Sequence, residues 1–216
     1  MTSLRTIAVT GILCLALAGC KFVPTAEKQT KTSVNSADAA DKGFDAKVAE
    51  MWDQKLIPYA KAKAGAFADV QAAVKANADA AGAKFGYREK GGSAPWTLLA
   101  TIDGKITAAN TESRAATLDV DTDADGKPDA RIQIGPVIRG TAIRDSLDFV
   151  NFNDFTNQID FAQFGKAFNT HVNKTVLEKL PREALAGKSV SVLGAYPLAT
   201  GSDLPLVTPI TIGITP

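Results

Sequence analysis

Histidine and cysteine are nearly absent from this 216-residue chain: there is one histidine, His171, and two cysteines, Cys14 and Cys20, both close to the N-terminus. Zinc sites take several such ligands, so none can be assembled. Charge imbalance is missing as well. The 24 Lys and Arg against 23 Asp and Glu leave a net charge of +1, so no global field draws the chain toward nucleic acid or a charged membrane surface. There is no Gly-x-Gly-x-x-Gly run or phosphate loop to hold a nucleotide. Nor is there a Gly-x-Ser-x-Gly elbow to accompany His171 in a Ser-His-Asp mechanism, and His171 reads as an ordinary exposed side chain. The apolar run Ile7–Ala18 is shorter than the about 20 residues that span a bilayer.

What is present begins with that run. Arg5 precedes it and Leu17-Ala18-Gly19-Cys20 ends it, the pattern of a lipoprotein signal peptide in which small residues fit the peptidase and the cysteine thiol receives the lipid. Cleavage before Cys20 removes Cys14 and acylation occupies Cys20, which excludes disulfides, thiol metal sites and a cysteine nucleophile. Several acyl chains on one residue give durable attachment, because each buried methylene adds about 0.8 kcal/mol. The expectation is a periplasmic protein tethered to a bacterial membrane through lipidated Cys20. Residues 1–19 are then the signal peptide and 20–43 a polar tether without apolar periodicity.

The whole sequence is 45% hydrophobic and 22% charged, enough for a sizeable core. Residues 44–90 read as a helical subdomain. Phe44, Val48, Met51, Trp52 and Leu56 recur at helical spacing up to Pro58, which ends or kinks the helix. Phe67, Val70, Val74, Ala78, Ala81 and Phe85 form the stripe of a second helix, packed antiparallel to the first as a hairpin. The stripe is a core face rather than a ligand face.

Residues 94–216 alternate differently. Trp96–Ile102 reads as a strand, Asp103-Gly104 as a two-residue hairpin turn and Lys105–Asn110 as the return, which continues through Ala115–Val120; after the acidic loop Ala130–Ile138 completes a three-stranded meander. Asn153 or Asp154 caps a helix carrying Phe155, Ile159, Phe161, Phe164, Phe168, Val172, Val176, Leu177 and Leu180, stopped by Pro181. Lys188–Ala195 and Leu206–Ile214 are the last strands. The fold class is α+β: a helical hairpin, then a five-stranded antiparallel OB-like barrel with its helix between strands three and four. An open antiparallel sheet on helices is the alternative.

Two stretches carry candidate chemistry. In Asp121-Thr-Asp123-Ala-Asp125-Gly126-Lys127-Pro128-Asp129, acids stand at positions 1, 3, 5 and 9, glycine at 6 and a backbone carbonyl, that of Lys127, at 7. This is the spacing with which calcium loops surround a hard cation. Ile132 stands where the bidentate acid belongs, so structural Ca2+ competes with a plain turn rich in Asp and Gly. In the corner Gly135–Phe164, Arg139, Arg144, Asn153 and Asn157 offer guanidinium and amide groups suited to a hydroxyl-rich or carboxylate ligand. The competing reading is a network that satisfies itself through Asp pairs and helix caps.

The runs FGYRE at Phe85–Glu89, SAPWT at Ser93–Thr97, TESRA at Thr111–Ala115, DVDTDADGKPD at Asp119–Asp129, GPVIRGTAIRD at Gly135–Asp145 and FNDFTNQIDFA at Phe152–Ala162 resemble the family of periplasmic lipoproteins labelled domain of unknown function 2291. The resemblance implies a helical part followed by an OB-like barrel, and an association with components of sugar ATP-binding-cassette transporters. It implies no catalytic residues. A non-enzymatic accessory or binding protein is therefore expected, and a carbohydrate-acting hydrolase using paired carboxylates from loop and corner is the alternative.

Overall fold

Phe44, Val48, Trp52 and Leu56 recur every four residues, and in the computed structural model all four meet the core from a single helix, α1, over residues 43–63. The structure describes residues 43–90, 94–198 and 203–215; the expected signal peptide, Cys20 and nearly all of the tether lie outside them. Pro58 does not end α1. Trp52–Leu56 forms a π-helical turn in which the Ile57 N–H reaches back to the Trp52 carbonyl. That wider turn accommodates a ring with no donor, and the α-helix resumes over Ile57–Lys63.

The second expected helix is two, α2 at Phe67–Ala76 and α3 at Ala78–Phe85. Asn77 separates them in extended backbone, its side chain accepting the Ala80 N–H. An Asn that can cap competes with helix continuation, and Ala78, expected on the apolar stripe, is exposed. Two-residue strands, β1 at Gly65–Ala66 and β2 at Gly86–Tyr87, dock these helices on the first long strand, β3 at Thr97–Asn110.

That strand runs straight through Asp103-Gly104, where a hairpin was expected. Asp103 pairs with Ser191 and Gly104 with Val190. A Cβ on Gly104 would lie 2.2 Å from the Asp121 carbonyl oxygen, so the glycine serves a close backbone approach and not a turn. The other long strands are β4 at Thr117–Asp121, β5 at Ala130–Gln133, β6 at Ser189–Pro197 and β7 at Leu206–Thr215. Hydrogen bonding runs β3-β4-β5-β7-β6 and returns to β3, closing a barrel. Its ladders are antiparallel except β5 with β7, which is parallel at Arg131↔Leu206 and Ile132↔Val207. The third barrel strand stops at Gln133, short of the expected Ile138. Ile134 and Gly135 both turn their N–H groups to the Ala116 carbonyl and the chain leaves the ladder.

Between β5 and β6 come a short helix, α4 at Ala142–Asp145, a 3-10 turn at Phe152–Asp154, and α5 at Gln158–His171, which continues as a π-helical turn over Val172–Leu177. Asn157 caps α5 by accepting the N–H groups of Ile159 and Asp160, so the cap is neither Asn153 nor Asp154. Ile159, expected on the apolar stripe, is 71% exposed. Phe164 and Phe168 of α5 pack 4.9 Å apart, and Phe44 and Trp52 of α1 rest on them at 5.6 and 6.4 Å. Trp52, Leu56, Phe67, Leu118, Ile132, Phe168 and Val192 belong to one buried cluster, so the helices and the barrel share a core.

Candidate functional site

The acidic loop joins β4 to β5 and folds around Asp121, which is only 6% exposed. Asp121 Oδ1 accepts the N–H groups of Asp123 at 3.1 Å and Ala124 at 2.8 Å, and Oδ2 accepts that of Gly126 at 2.8 Å. Ala124 and Gly126 take positive φ of 64° and 84° to make this wrap. Burial pushes the Asp121 carboxyl up, but the N–H groups of Gly126, Ala124, Asp123 and Asp125 outweigh it and hold the group below the usual carboxylate range. Asp129 Oδ2 accepts the Thr122 N–H at 2.8 Å and its hydroxyl at 2.6 Å.

Oxygen atoms of Asp121, Asp123 and Asp129 all lie within 4.8 Å of one another, inside the roughly 5 Å that separates opposite ligands of one calcium ion. Asp125 stands apart from that group. Its Oδ1 accepts the Lys127 N–H at 2.7 Å and its Oδ2 lies 3.7 Å from the Lys127 ammonium. Ile132 is fully buried, so position 12 contributes core packing.

The corner divides its polar residues between two roles. Arg144, its side chain 11% exposed, pairs with Asp145 Oδ1 at 2.7 Å, donates to the Phe161 carbonyl at 2.9 Å and to Thr141 Oγ1 at 3.1 Å, and lies 3.7 Å from the centre of the Phe161 ring. Asp145 Oδ2 accepts the Thr141 hydroxyl at 2.6 Å. Asn157 is the helix cap, Asp154 accepts the Asn151 N–H at 3.2 Å, and Asn153 stands exposed in the 3-10 turn. These side chains hold the corner together. His171 is half-buried, contrary to its expected exposure, and stacks on Trp52 at 4.4 Å; burial pulls its imidazole below the ordinary value against the opposing charges of Asp53 and Asp45, with Lys174 adding to the fall.

Arg139 differs. Gln133, 3% exposed, fixes its backbone from both sides: Gln133 Oε1 accepts the Arg139 N–H at 2.7 Å, and Gln133 Nε2 donates to the Arg139 carbonyl at 3.2 Å and to Thr208 Oγ1 at 2.9 Å. Asn169 Nδ2 then donates to the next carbonyl, that of Gly140, at 2.8 Å. The side chain of Arg139 is exposed and has no ion-pair or hydrogen-bond partner among the described residues.

Arg139 opens onto a cleft of about 550 Å3 that lies across β4, β5 and the segments leading out of β3 and into β7. Asn110, Ser113 and Thr117 form one wall. Arg131, in the floor, is held by Asp119 through two bonds of 2.6 and 2.8 Å. Asp203 and Leu204 complete it. Sequence reading found Arg139 but missed Arg131, Gln133 and Asp203. The usable signal was the outward register of Arg131 and Gln133 beside the inward Ile132, read in the light of an OB strand order, whose second and third strands form the usual binding face.

A closed barrel with a parallel contact between its third and fifth strands, an antiparallel contact between its first and fourth, and a helix between third and fourth is an OB-fold. A crystal structure of an OB-fold protein from Thermotoga maritima is similar to the chain with a TM-score of 0.59 at 18% identity, covering 83% of this chain and 98% of that one. The chain belongs to the DUF2291 family, described as predicted periplasmic lipoproteins, whose model matches residues 10–213. It is thus a lipid-anchored protein of the periplasm. No curated protein gave a match.

Proposed function

We propose that this lipoprotein is a non-enzymatic binding or accessory component that serves sugar uptake beside a sugar ATP-binding-cassette transporter. The observation that carries the reading is the cleft over β4 and β5: it occupies the face and loop ends with which OB barrels take oligosaccharides, and polar side chains line it. The absence of catalysis is supported by where the acids go. Asp121, Asp129, Asp145 and Asp154 bond within their own segments, and the Asp121 carboxyl is held low, the opposite of what a general acid needs. Purification of the acylated protein from its native membrane should recover a transporter component, and sugars should raise its melting temperature. Failure of both removes the proposal.

Structural calcium at the β4–β5 loop is a second reading, favoured by three carboxylates that fit one coordination shell. Chelator should then lower the melting temperature, and Asp123→Ala should abolish that sensitivity. Superimposable melting curves with and without chelator end this reading.

A further inference from the structure

We infer that the cleft over β4 and β5 recognises a neutral saccharide, with the guanidinium of Arg139 and the carboxylate of Asp203 acting on ring hydroxyls from opposite chemical sides. The inference rests on the sugar-binding reading above and narrows it to uncharged sugars. The first support is a balance of charge. Arg131 is neutralised by Asp119 through its paired bonds of 2.6 and 2.8 Å. That leaves Arg139 and Asp203, both exposed and neither in an ion pair among the described residues, as the unpaired charges of the lining. They cancel, so the cleft has no net attraction for an ion of either sign. A uronate would gain from Arg139 and be opposed by Asp203; an amino sugar would meet the reverse.

A hydroxyl group, in contrast, needs both. It donates one hydrogen bond and accepts others, whereas a guanidinium only donates and a carboxylate only accepts. Opposed unpaired groups of these two kinds therefore suit a ligand rich in hydroxyls better than a ligand with one charge. Asn110, Ser113 and Thr117 add uncharged groups of both kinds, and Leu204 and Leu206 supply an apolar wall for the C–H face of a sugar ring. The lining contains no aromatic side chain among the described residues. Single-stranded nucleic acid, the other usual ligand of this barrel face, is bound by stacking on aromatics and by an excess of cations. Neither is present here.

The second support is the way Arg139 is presented. Gln133 is almost wholly buried, yet its amide is directed at the backbone of Arg139 and at Thr208, while Asn169 holds Gly140. Fixing the base of a long side chain lowers the ordering cost when its head engages a ligand. The volume of about 550 Å3 falls within the roughly 300 to 1,000 Å3 of small-molecule sites.

Isothermal titration of the full acylated protein in detergent tests this, using a panel of neutral pentoses, hexoses and disaccharides, uronic acids and amino sugars. A neutral member should bind with little dependence on salt, and Arg139→Ala and Asp203→Ala should each weaken it by roughly 10- to 100-fold with unchanged melting curves. A preference for uronates that Arg139→Ala destroys and Asp203→Ala improves, or the mirror image for amino sugars, overturns the inference while leaving the sugar-binding reading in place. Neutral binding that neither substitution changes overturns the site. No binding by any member of the panel removes both the inference and the reading beneath it.

Discussion

Asp121 links the stability of the barrel to pH. Its folded carboxyl lies below the ordinary value because four backbone N–H groups outweigh burial. The stabilisation is therefore complete above the unfolded value of about 3.9 and is lost as pH falls through the depressed folded value. Thermal melts across the acid range should show a steep loss in the native protein. Asp121→Asn should start lower at neutral pH and fall more gently, and parallel curves would remove this role. A second expectation concerns the corner: Arg144→Ala removes the guanidinium's bonds to the Phe161 carbonyl, Thr141 and Asp145 from a part-buried setting and should cost roughly 1 to 2 kcal/mol in urea unfolding, with Arg144→Lys unable to replace the forked contacts. Sequence could name both arginines of the corner and could not separate them. Arg144 and Arg139 have similar neighbours in the chain, and what distinguishes them is Gln133, whose amide reaches one backbone and not the other.

Among the elements, the long strand and the long helix show why local signals mislead. Asp-Gly is the strongest short hairpin signal, yet a glycine is equally required where another strand's backbone passes at contact distance, and only the fold reveals the Asp121 carbonyl above Gly104. Gly104→Ala should lower the urea midpoint by the equivalent of about 1 to 3 kcal/mol at constant slope; an unchanged midpoint would remove the close approach as the reason for the glycine. The helix start was misplaced for a similar reason. Asn153, Asp154 and Asn157 can all cap, and the choice falls to Phe155, which sits in extended backbone while its ring packs on Phe44, Phe161 and Phe164. The helix therefore begins after it. Asn157→Ala should cost about 1 kcal/mol and Asn153→Ala less than about 0.5 kcal/mol, read from the same unfolding curves.

For the whole molecule, the order of three strands, a helix and two strands was legible from the change between periods of two and of 3.6 residues, although the first two strands part near Asn110 and not at Asp103-Gly104. The polar face was not, because its residues come together only when β7 lies beside β5. Replacement of Cys20 by alanine should move the protein from the membrane fraction to the soluble periplasm, as fractionation would show. Closure also sets an order of events. β3 hydrogen-bonds to β6 from Thr97↔Pro197 to Lys105↔Ser189, and β7 joins β5 only at Leu206 and Val207. A chain threaded across the inner membrane from its N-terminus thus exposes an unpaired β3 edge until its last strands arrive. For that interval the open edge is a template for wrong pairing with another chain.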